Sequence, residues 1–315
     1  MRARPKCYYG GMGINAGKVL LIANPAAQRG NGAAAAELAH RLLDECLDDE
    51  SQLEFKLTEA PGHAIEIAAA TDAQTVITLG GDGVIHETVN GLMRIPADRR
   101  PAFGLIPVGS GNDYARTLNI PEDIHEAVTR LANAQETPAD LGCCNGEYFT
   151  ETLSFGLDAA IALDTIVRRE RTGQQGTILY AMSGIDQLLH HLETFHVHAV
   201  LDDGRVLEDA IHMFAIQVGP TYGGGFRICP DARIDDGLFD LCYASAPMSV
   251  PEATVKFLSA KNAHHLRWKN IHFDRASKLE ITFDRRPPCQ IDGEPHVADS
   301  YSVSIAPAAL RVLMG

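Results

Sequence analysis

No stretch of this sequence approaches the roughly 18 to 20 consecutive apolar residues that a membrane-spanning helix needs, and the basic start MRARPKCYYGGMG has no apolar run behind it. A soluble, cytoplasmic chain with no transmembrane segment and no secretory leader is expected. Positive charge is short, with 27 Lys and Arg against 41 Asp and Glu and a formal net charge of −14. A face that wraps nucleic acid is therefore not expected, and any anionic ligand must be held by local groups. The seven cysteines contain no C-x-x-C, so reduced thiols are expected rather than a disulfide framework or a zinc ribbon. The 13 histidines include no H-E-x-x-H and no matching carboxylate spacing, which leaves them as core or solvated imidazoles. Repeats of fixed period and long linkers are also missing.

What is present is the composition of a folded protein, 45% apolar and 22% charged over 315 residues. At roughly 150 residues per domain, two domains are expected. In the first half, short aliphatic runs alternate with helical spacing. Strands are predicted over Lys18–Asn24, Leu53–Thr58, Thr75–Leu79 and Phe103–Pro107, and helices over Ala33–Leu47, Gly62–Ala70, Val84–Met93 and Ile124–Ala134. This alternation is the signature of parallel βαβ units, which bind ligands at the carboxyl ends of their strands. From about Pro138 the texture changes. Two helical stretches, Leu157–Arg169 and Ile178–Leu192, give way to strands over Thr194–Leu201, Arg205–Ala210, Met213–Val218, Phe239–Tyr243, Lys278–Phe283 and Tyr301–Ile305. Asp202-Asp203-Gly204 suits a hairpin turn, since Asp-Gly tolerates positive φ. An antiparallel sheet or sandwich with few helices is expected here.

The strongest local signal is Gly80-Gly81-Asp82-Gly83, where a buried strand meets a helix start. Glycines there let backbone N–H groups approach a ligand, and the helix N-terminus adds partial positive charge, which together suit phosphate. A plain strand-to-helix turn capped by Asp82 is the alternative. A second loop, Gly109-Ser110-Gly111-Asn112-Asp113, also follows a strand, and Asn24-Pro25 with Gly30 and Gly32 occupies the same place after the first strand. Their convergence on one sheet edge favours a nucleotide site. No G-K-[ST] and no G-x-G-x-x-G occurs, so neither a P-loop nor a dinucleotide fingerprint applies. In the second half, Asp235-Asp236-Gly237 reads as a turn, whereas Asp292 and Glu294 at i and i+2 share one face if extended. Such a pair suits a base and a metal-linked acid.

Taken in order, Asn24-Pro25, Gly80-Gly81-Asp82-Gly83 with Glu87 and Asn90-Gly91 behind it, Pro107-x-Gly109-Ser110-x-Asn112-Asp113, Gly223-Gly224-Gly225 through Asp236-Gly237, and Asp292-Gly293-Glu294 resemble the diacylglycerol kinase catalytic-domain family, especially its soluble bacterial members. The likeness runs from Lys18 to the C-terminus. It implies an α/β fold of the phosphofructokinase and NAD-kinase kind that binds ATP with Mg²⁺, plus an antiparallel β-sandwich domain bearing the lipid site. Expected boundaries are a flexible extension over 1–16, the nucleotide domain over 17–140 and the lipid-binding, catalytic domain over 141–315, whose last residues can pack back on the first.

The resemblance makes Asp292 the general base and joins Glu294, Asp82 and Asp113 in a Mg-linked network. It places Asn24, Pro25, Thr58, Gly80, Gly81, Gly83, Glu87, Gly109, Ser110 and Asn112 around the nucleotide. Asp236, with the carbonyls of Arg233 and Leu238, becomes a structural Mg²⁺ site. The implied activity is phosphorylation of a hydroxyl of diacylglycerol or a related lipid alcohol, with transient membrane association and a homodimer left open. Sphingoid bases, NAD and a non-catalytic sensor are the alternatives. Departures from the family pattern are Val84, His86 and Ser110, the missing Asn within Thr150–Ala159, and Ala-Ala-Gln after Asn24-Pro25. Arg168, Arg169 and Arg171, or Arg285 and Arg286, are candidate membrane contacts.

Overall fold

The computed structural model describes residues 17–27, 31–48, 50–172 and 177–315. The expected extension over 1–16, and Gly30 of the first turn, lie outside the described residues. The chain divides into two compact units, one running to Ala139 and resuming over Ala308–Gly315, the other Asp140–Pro307.

The first unit alternates β1 (Lys18–Ala23), α1 (Gly32–Cys46), β2 (Gln52–Leu57), α2 (His63–Ala69), β3 (Thr75–Gly80), α3 (Asp82–Leu92), β4 (Ala102–Pro107), α4 (Asp113–Thr117) and α5 (Ile124–Ala132). Its strands are parallel in the order β2-β1-β3-β4. β3 and β4 are buried at every position, as an all-parallel sheet covered on both faces requires. β2, at the edge, is half-buried or exposed throughout. The chain passes from β1 to β2 on one side and returns to β3 on the other. A topological switch point therefore lies between β1 and β3, and the crevice at the carboxyl ends of such strands is where open α/β sheets bind ligands.

The chain continues through β5 (Gln135–Cys144), β6 (Glu147–Phe149), β7 (Thr152–Gly156), α6 (Leu157–Thr172), α7 (Thr177–His190), β8 (Phe195–Leu201), β9 (Val206–Gln217), β10 (Phe239–Ser245), α8 (Val250–Ala260), β11 (Ile271–Ala276), β12 (Lys278–Phe283), β13 (Cys289–Ile291), β14 (Glu294–Pro295) and β15 (Ser300–Met314). β5 and β15 each carry residues of both units, and Val312 of β15 pairs with Phe103 of β4. Pairing in the second unit is antiparallel, and β8 buries Phe195, Val197, Ala199 and Leu201 while exposing the residues between them. That strict alternation fixes register, because a one-residue slip would turn the whole apolar row to water.

Three expectations need correction. Arg205–Ala210 and Met213–Val218 are one strand, β9, which pairs with β8 up to Ile211 and with β7 from Met213. The register against β10 jumps between Ala244 and Ser245 at the same place, so His212 sits in a bulge. This bulge interrupts the apolar alternation and makes one strand read as two. The second half also holds a further helix, α8, whose signal was Ser249-x-x-Glu252: the Ser249 hydroxyl accepts from the Glu252 N–H at 3.4 Å. Finally, Tyr301–Ile305 is only the start of the 15-residue β15.

Gly156 ends β7 at φ +84°, and a Cβ there would collide with the carbonyl of His212. Gly204, in the β8–β9 turn at φ +83°, has open space around it. Gly156→Ala should cost about 2 to 4 kcal/mol and Gly204→Ala about 1 kcal/mol, because only the first adds a backbone clash to the left-handed strain. Urea unfolding of both variants checks this, and equal losses would contradict it.

Candidate active site

Asn24, Thr58, Gly81 and Val108 follow β1, β2, β3 and β4, all at the carboxyl edge of the parallel sheet. Backbone bonds tie these ends together: Thr58 N–H donates to Ala23 O at 2.9 Å, Asn24 N–H to Leu79 O at 3.1 Å, and Val108 N–H to Gly80 O at 2.9 Å. The loops after β3 and β4 touch backbone to backbone. A Cβ on Gly81 would lie 3.0 Å from the Cα of Gly109, and one on Gly109 would overlap the Cα of Gly81. Asn112, left-handed at φ +53°, closes the second loop by accepting from Gly109 N–H at 2.8 Å and donating to Gly109 O at 3.2 Å.

The carboxylates of this edge are held in place. Asp82, the first residue of α3, accepts from Asp113 N–H at 2.9 Å, and Asp113 pairs with Arg116 at 2.8 Å. Around Gly111, a Cβ would meet the second carboxylate oxygens of Asp82 and Asp113 at 2.6 and 3.3 Å. Pro25, Ser110 and Gly83 frame the same loops. Glu87 faces elsewhere: it accepts from Gly62 N–H at 2.8 Å and Ala64 N–H at 3.2 Å, so it caps α2 and fixes the loop that carries Thr58.

In the second unit Asp292 stands at φ +47° in the β13–β14 turn. One carboxylate oxygen accepts from Glu151 and Thr152 N–H, each at 3.0 Å, and the other from Thr150 N–H at 2.7 Å and the Thr150 hydroxyl at 3.1 Å. Glu294 is exposed on β14. The Glu151 side chain is buried against Gly219, where any Cβ would overlap its carboxylate. Glu151 stands within the stretch that lacks the expected Asn.

The Asp236 segment carries its own cation. Arg275 binds Asp236 and approaches Asp240 at 3.4 Å, Leu238 N–H donates to Asp236 at 3.2 Å, and Gly237 N–H donates to Asp140 at 2.7 Å. Arg233 pairs with Asp235 at 3.0 Å. Among the described residues no group of three or more His, Cys, Asp or Glu side chains could hold a metal ion. The Asp236 carboxylate on which the expected structural Mg²⁺ site relies is thus paired with a guanidinium.

Sequence reasoning missed an apolar pocket in the second unit. Leu157 and Ile161 of α6, Phe226, Phe257 of α8 and Ile271 of β11 line it. Asp158 also lines it and accepts from the Tyr222 hydroxyl at 2.5 Å. Burial pushes the Asp158 carboxyl up to about 6, against the hydrogen bonds from Tyr222 and Ser154. The pocket was hard to foresee because its walls come from segments far apart in the chain. Three of the five arginines expected at a membrane are engaged: Arg168 by Asp164 at 3.0 Å and Asp186 at 2.7 Å, Arg285 by Glu193 at 2.5 Å, and Arg286 by Asp299 at 2.6 Å.

Two family models match the chain: the diacylglycerol kinase catalytic domain over residues 18–144, and the YegS C-terminal NAD kinase beta sandwich-like domain over 151–314. The diacylglycerol kinase of Bacillus subtilis (strain 168) is 32% identical over 236 residues, which is 74% of this chain and 75% of that protein. The chain belongs to the diacylglycerol kinase family. It is a lipid kinase, and kinases of this family use a nucleotide. A Yersinia pestis (strain Pestoides F) protein named Probable lipid kinase YegS-like is 30% identical over 84% of this chain and 88% of its own. A crystal structure of a diacylglycerol kinase from Bacillus anthracis str. Sterne shares the kinase's fold, with a TM-score of 0.78 at 24% identity, covering 96% of this chain and 98% of that one. No helix among the described residues is long and apolar enough to cross a membrane.

Three outcomes are expected from these sites. A buried acid whose value rises from 3.8 to about 6 favours folding when protonated, so its contribution is complete below pH 4 and is lost as pH climbs through about 6. The stability of Asp158→Asn relative to the parent kinase should therefore rise between pH 4 and 7 by about 3 kcal/mol and then level off, as read by urea unfolding. Arg275→Gln should lower Tm by several degrees, about 1 to 3 kcal/mol, since it leaves Asp236 and Asp240 without their counter-charge. In the parent kinase, Mg²⁺ without nucleotide should give no Tm increase that Asp236→Asn abolishes.

Proposed function

We propose that this kinase transfers the terminal phosphoryl group of ATP, with Mg²⁺, to the hydroxyl of diacylglycerol or a related lipid alcohol. The observation that carries the acceptor class is the apolar pocket of the second unit, whose Leu, Ile and Phe walls suit an acyl chain. For the donor, glycines at 81 and 111 keep side chains away from the backbone beside the start of α3, which lets phosphate oxygens approach its N–H groups, within the frame set by Asn24, Pro25, Thr58, Gly80, Gly83, Gly109, Ser110 and Asn112.

The nucleotide edge fits Mg²⁺, because Asp82 and Asp113 bring carboxylate oxygens to one point around Gly111, and hard oxygen donors are what this ion takes. When bound, Mg²⁺ supplies charge neutralisation between carboxylates and phosphates. Asp113 is also steadied by Arg116, and Asp82 by the backbone of the second loop, so neither side chain must be ordered during turnover.

Asp292 takes the proton of the acceptor hydroxyl in this reading, with Glu294 as the metal-linked acid of the same turn. The Asp292 carboxylate accepts hydrogen bonds from Thr150, Glu151 and Thr152, which fixes its position. Phosphoryl transfer asks little covalent help of the protein, so an aligned base and oriented backbone donors suffice.

A screen of lipid alcohols, sphingoid bases and NAD with terminally labelled ATP tests the reading, and label in a glycerolipid is the expected result. Label only in NAD would overturn it. Asp292→Asn should lower turnover by roughly 10²- to 10⁴-fold with little change in affinity for ATP and Mg²⁺. Circular dichroism accompanies the measurement, because the Asn amide meets N–H donors at Thr150 to Thr152. A folded variant that turns over at the parent rate removes Asp292 from the chemistry.

A further inference from the structure

Helices α7 and α8 turn apolar side chains outward as well as inward. Met182, Ile185 and Leu189 follow at i, i+3 and i+7 along α7, and Val255 and Leu258 at i and i+3 along α8, all exposed, with Leu189 at 57%. The helices are neighbours, since a Cβ on Gly184 of α7 would overlap the ring of Phe257 of α8. Just beyond α8, Leu266 and Trp268 are exposed as well, and the Lys256 ammonium lies 5.3 Å from the Trp268 ring, which ties this turn to the helix. Arg267 and Lys269 flank the indole. Scattered single apolar residues on a surface need no explanation, but two helical rows and the chain's one tryptophan on adjoining elements do.

We propose that the outer face of α7 and α8, with the Leu266–Trp268 turn, is a membrane-docking surface that engages lipid by apolar contact rather than by charge. The proposal rests on the reading above that a lipid acceptor enters the second unit. Continuity with the pocket selects a bilayer as the occupant. The same α8 that shows Val255 and Leu258 to solvent lines the pocket with Ala253, Phe257 and Ala260, so the lipid source and the lipid site share one helix. A tryptophan flanked by Arg and Lys beside aliphatic rows matches the interfacial region of a membrane, where the ring sits at headgroup depth. Charge points the same way. The chain carries −14 and Arg168, Arg285 and Arg286 are each bound by acids, so attraction to anionic lipid is secondary to apolar contact, with Arg267 and Lys269 beside the indole as its local source.

The test uses the full chain and vesicles of phosphatidylcholine, with and without phosphatidylglycerol, at low and high salt. Co-sedimentation and a blue shift of the Trp268 fluorescence are expected on pure phosphatidylcholine, little changed by salt or by the anionic lipid. Leu189→Glu with Leu258→Glu should reduce the bound fraction about tenfold or more and abolish the blue shift. Activity on a short-chain lipid alcohol in solution should stay at the parent level in this variant, while activity on the vesicle-borne substrate falls. Binding is read without turnover, so a kinase that phosphorylated no lipid would overturn the functional reading and still leave the docking surface tested. Three results would overturn the surface: no vesicle binding by the parent chain, unchanged binding by the variant, or binding that requires phosphatidylglycerol and disappears with salt. Light scattering that shows a dimer in the parent and a monomer in the variant, with no vesicle binding, would assign the face to a second copy instead.

Discussion

The approach of Gly81 to Gly109 is the contact on which the first unit's site depends. A Cβ on Gly109 would overlap the Cα of Gly81, and one on Gly81 would press on the Cα of Gly109 at 3.0 Å. Once the two loops meet in this way, Asp82 comes within reach of the Asp113 N–H, and the second oxygens of both carboxylates gather around Gly111. The parallel sheet makes the meeting possible, since β3 and β4 are adjacent and in register from Thr75 opposite Ala102 to Gly80 opposite Pro107. Their loops therefore leave the sheet at the same level. Asn112 then holds the second loop shut from within, and its left-handed backbone is one that Asn tolerates better than most residues.

The second unit meets a different requirement. Its sheet is antiparallel and apolar on alternate residues, so the bending needed to close a sandwich must come from breaks in that alternation. The bulge at His212 is such a break: β9 leaves β8 and joins β7 there, while the buried His212 ring bonds to Glu193 O at 2.8 Å and accepts from Met248 N–H at 3.1 Å. Gly156 lies against the carbonyl of the same residue, which is why α6 can start where β7 ends. Asp292 also serves this framework. The hydrogen bonds its carboxylate accepts organise Thr150 to Thr152, so a residue proposed for chemistry doubles as the clasp of the strand beside it.

What the sequence discloses follows from how local each feature is. The buried strands β3 and β4 and the glycine loops behind them are continuous in the chain, and their aliphatic runs and turn residues are legible without any partner. The family resemblance carried Asp292 as well, although nothing local distinguishes its role from that of a turn residue. Glu87 shows the limit, because its position after the glycines suggests a ligand contact while its carboxylate closes on Gly62 and Ala64, remote in sequence. Asp236 shows it again: the resemblance implies a metal at this turn, and only the pairing of β10 with β11, which sets Arg275 opposite Asp240, reveals a guanidinium within reach of Asp236. The pocket and the outer face of α7 and α8 were illegible for a similar reason. Helical spacing tells that one face is apolar but not that a second, exposed face is apolar too, since that depends on which neighbours the fold supplies.

An acidic protein that handles an anionic nucleotide and a lipid faces the same difficulty twice, because it has no positive field to draw either one in. On the function proposed, the remedy in the first unit is local: oriented N–H groups and a helix start would give partial charge, and the carboxylates that would repel phosphate would be turned to attraction by a divalent ion. In the second unit acids engage Arg168, Arg285 and Arg286, while the outer face proposed for docking presents aliphatic side chains and a tryptophan. The two remedies have opposite sensitivity to the medium. Backbone dipoles and bound ions act over a few ångströms and depend on the ion supply, whereas apolar contact is nearly indifferent to salt and to the sign of the lipid charge. A net charge of −14 is then no obstacle to either ligand, because neither is approached through the net charge.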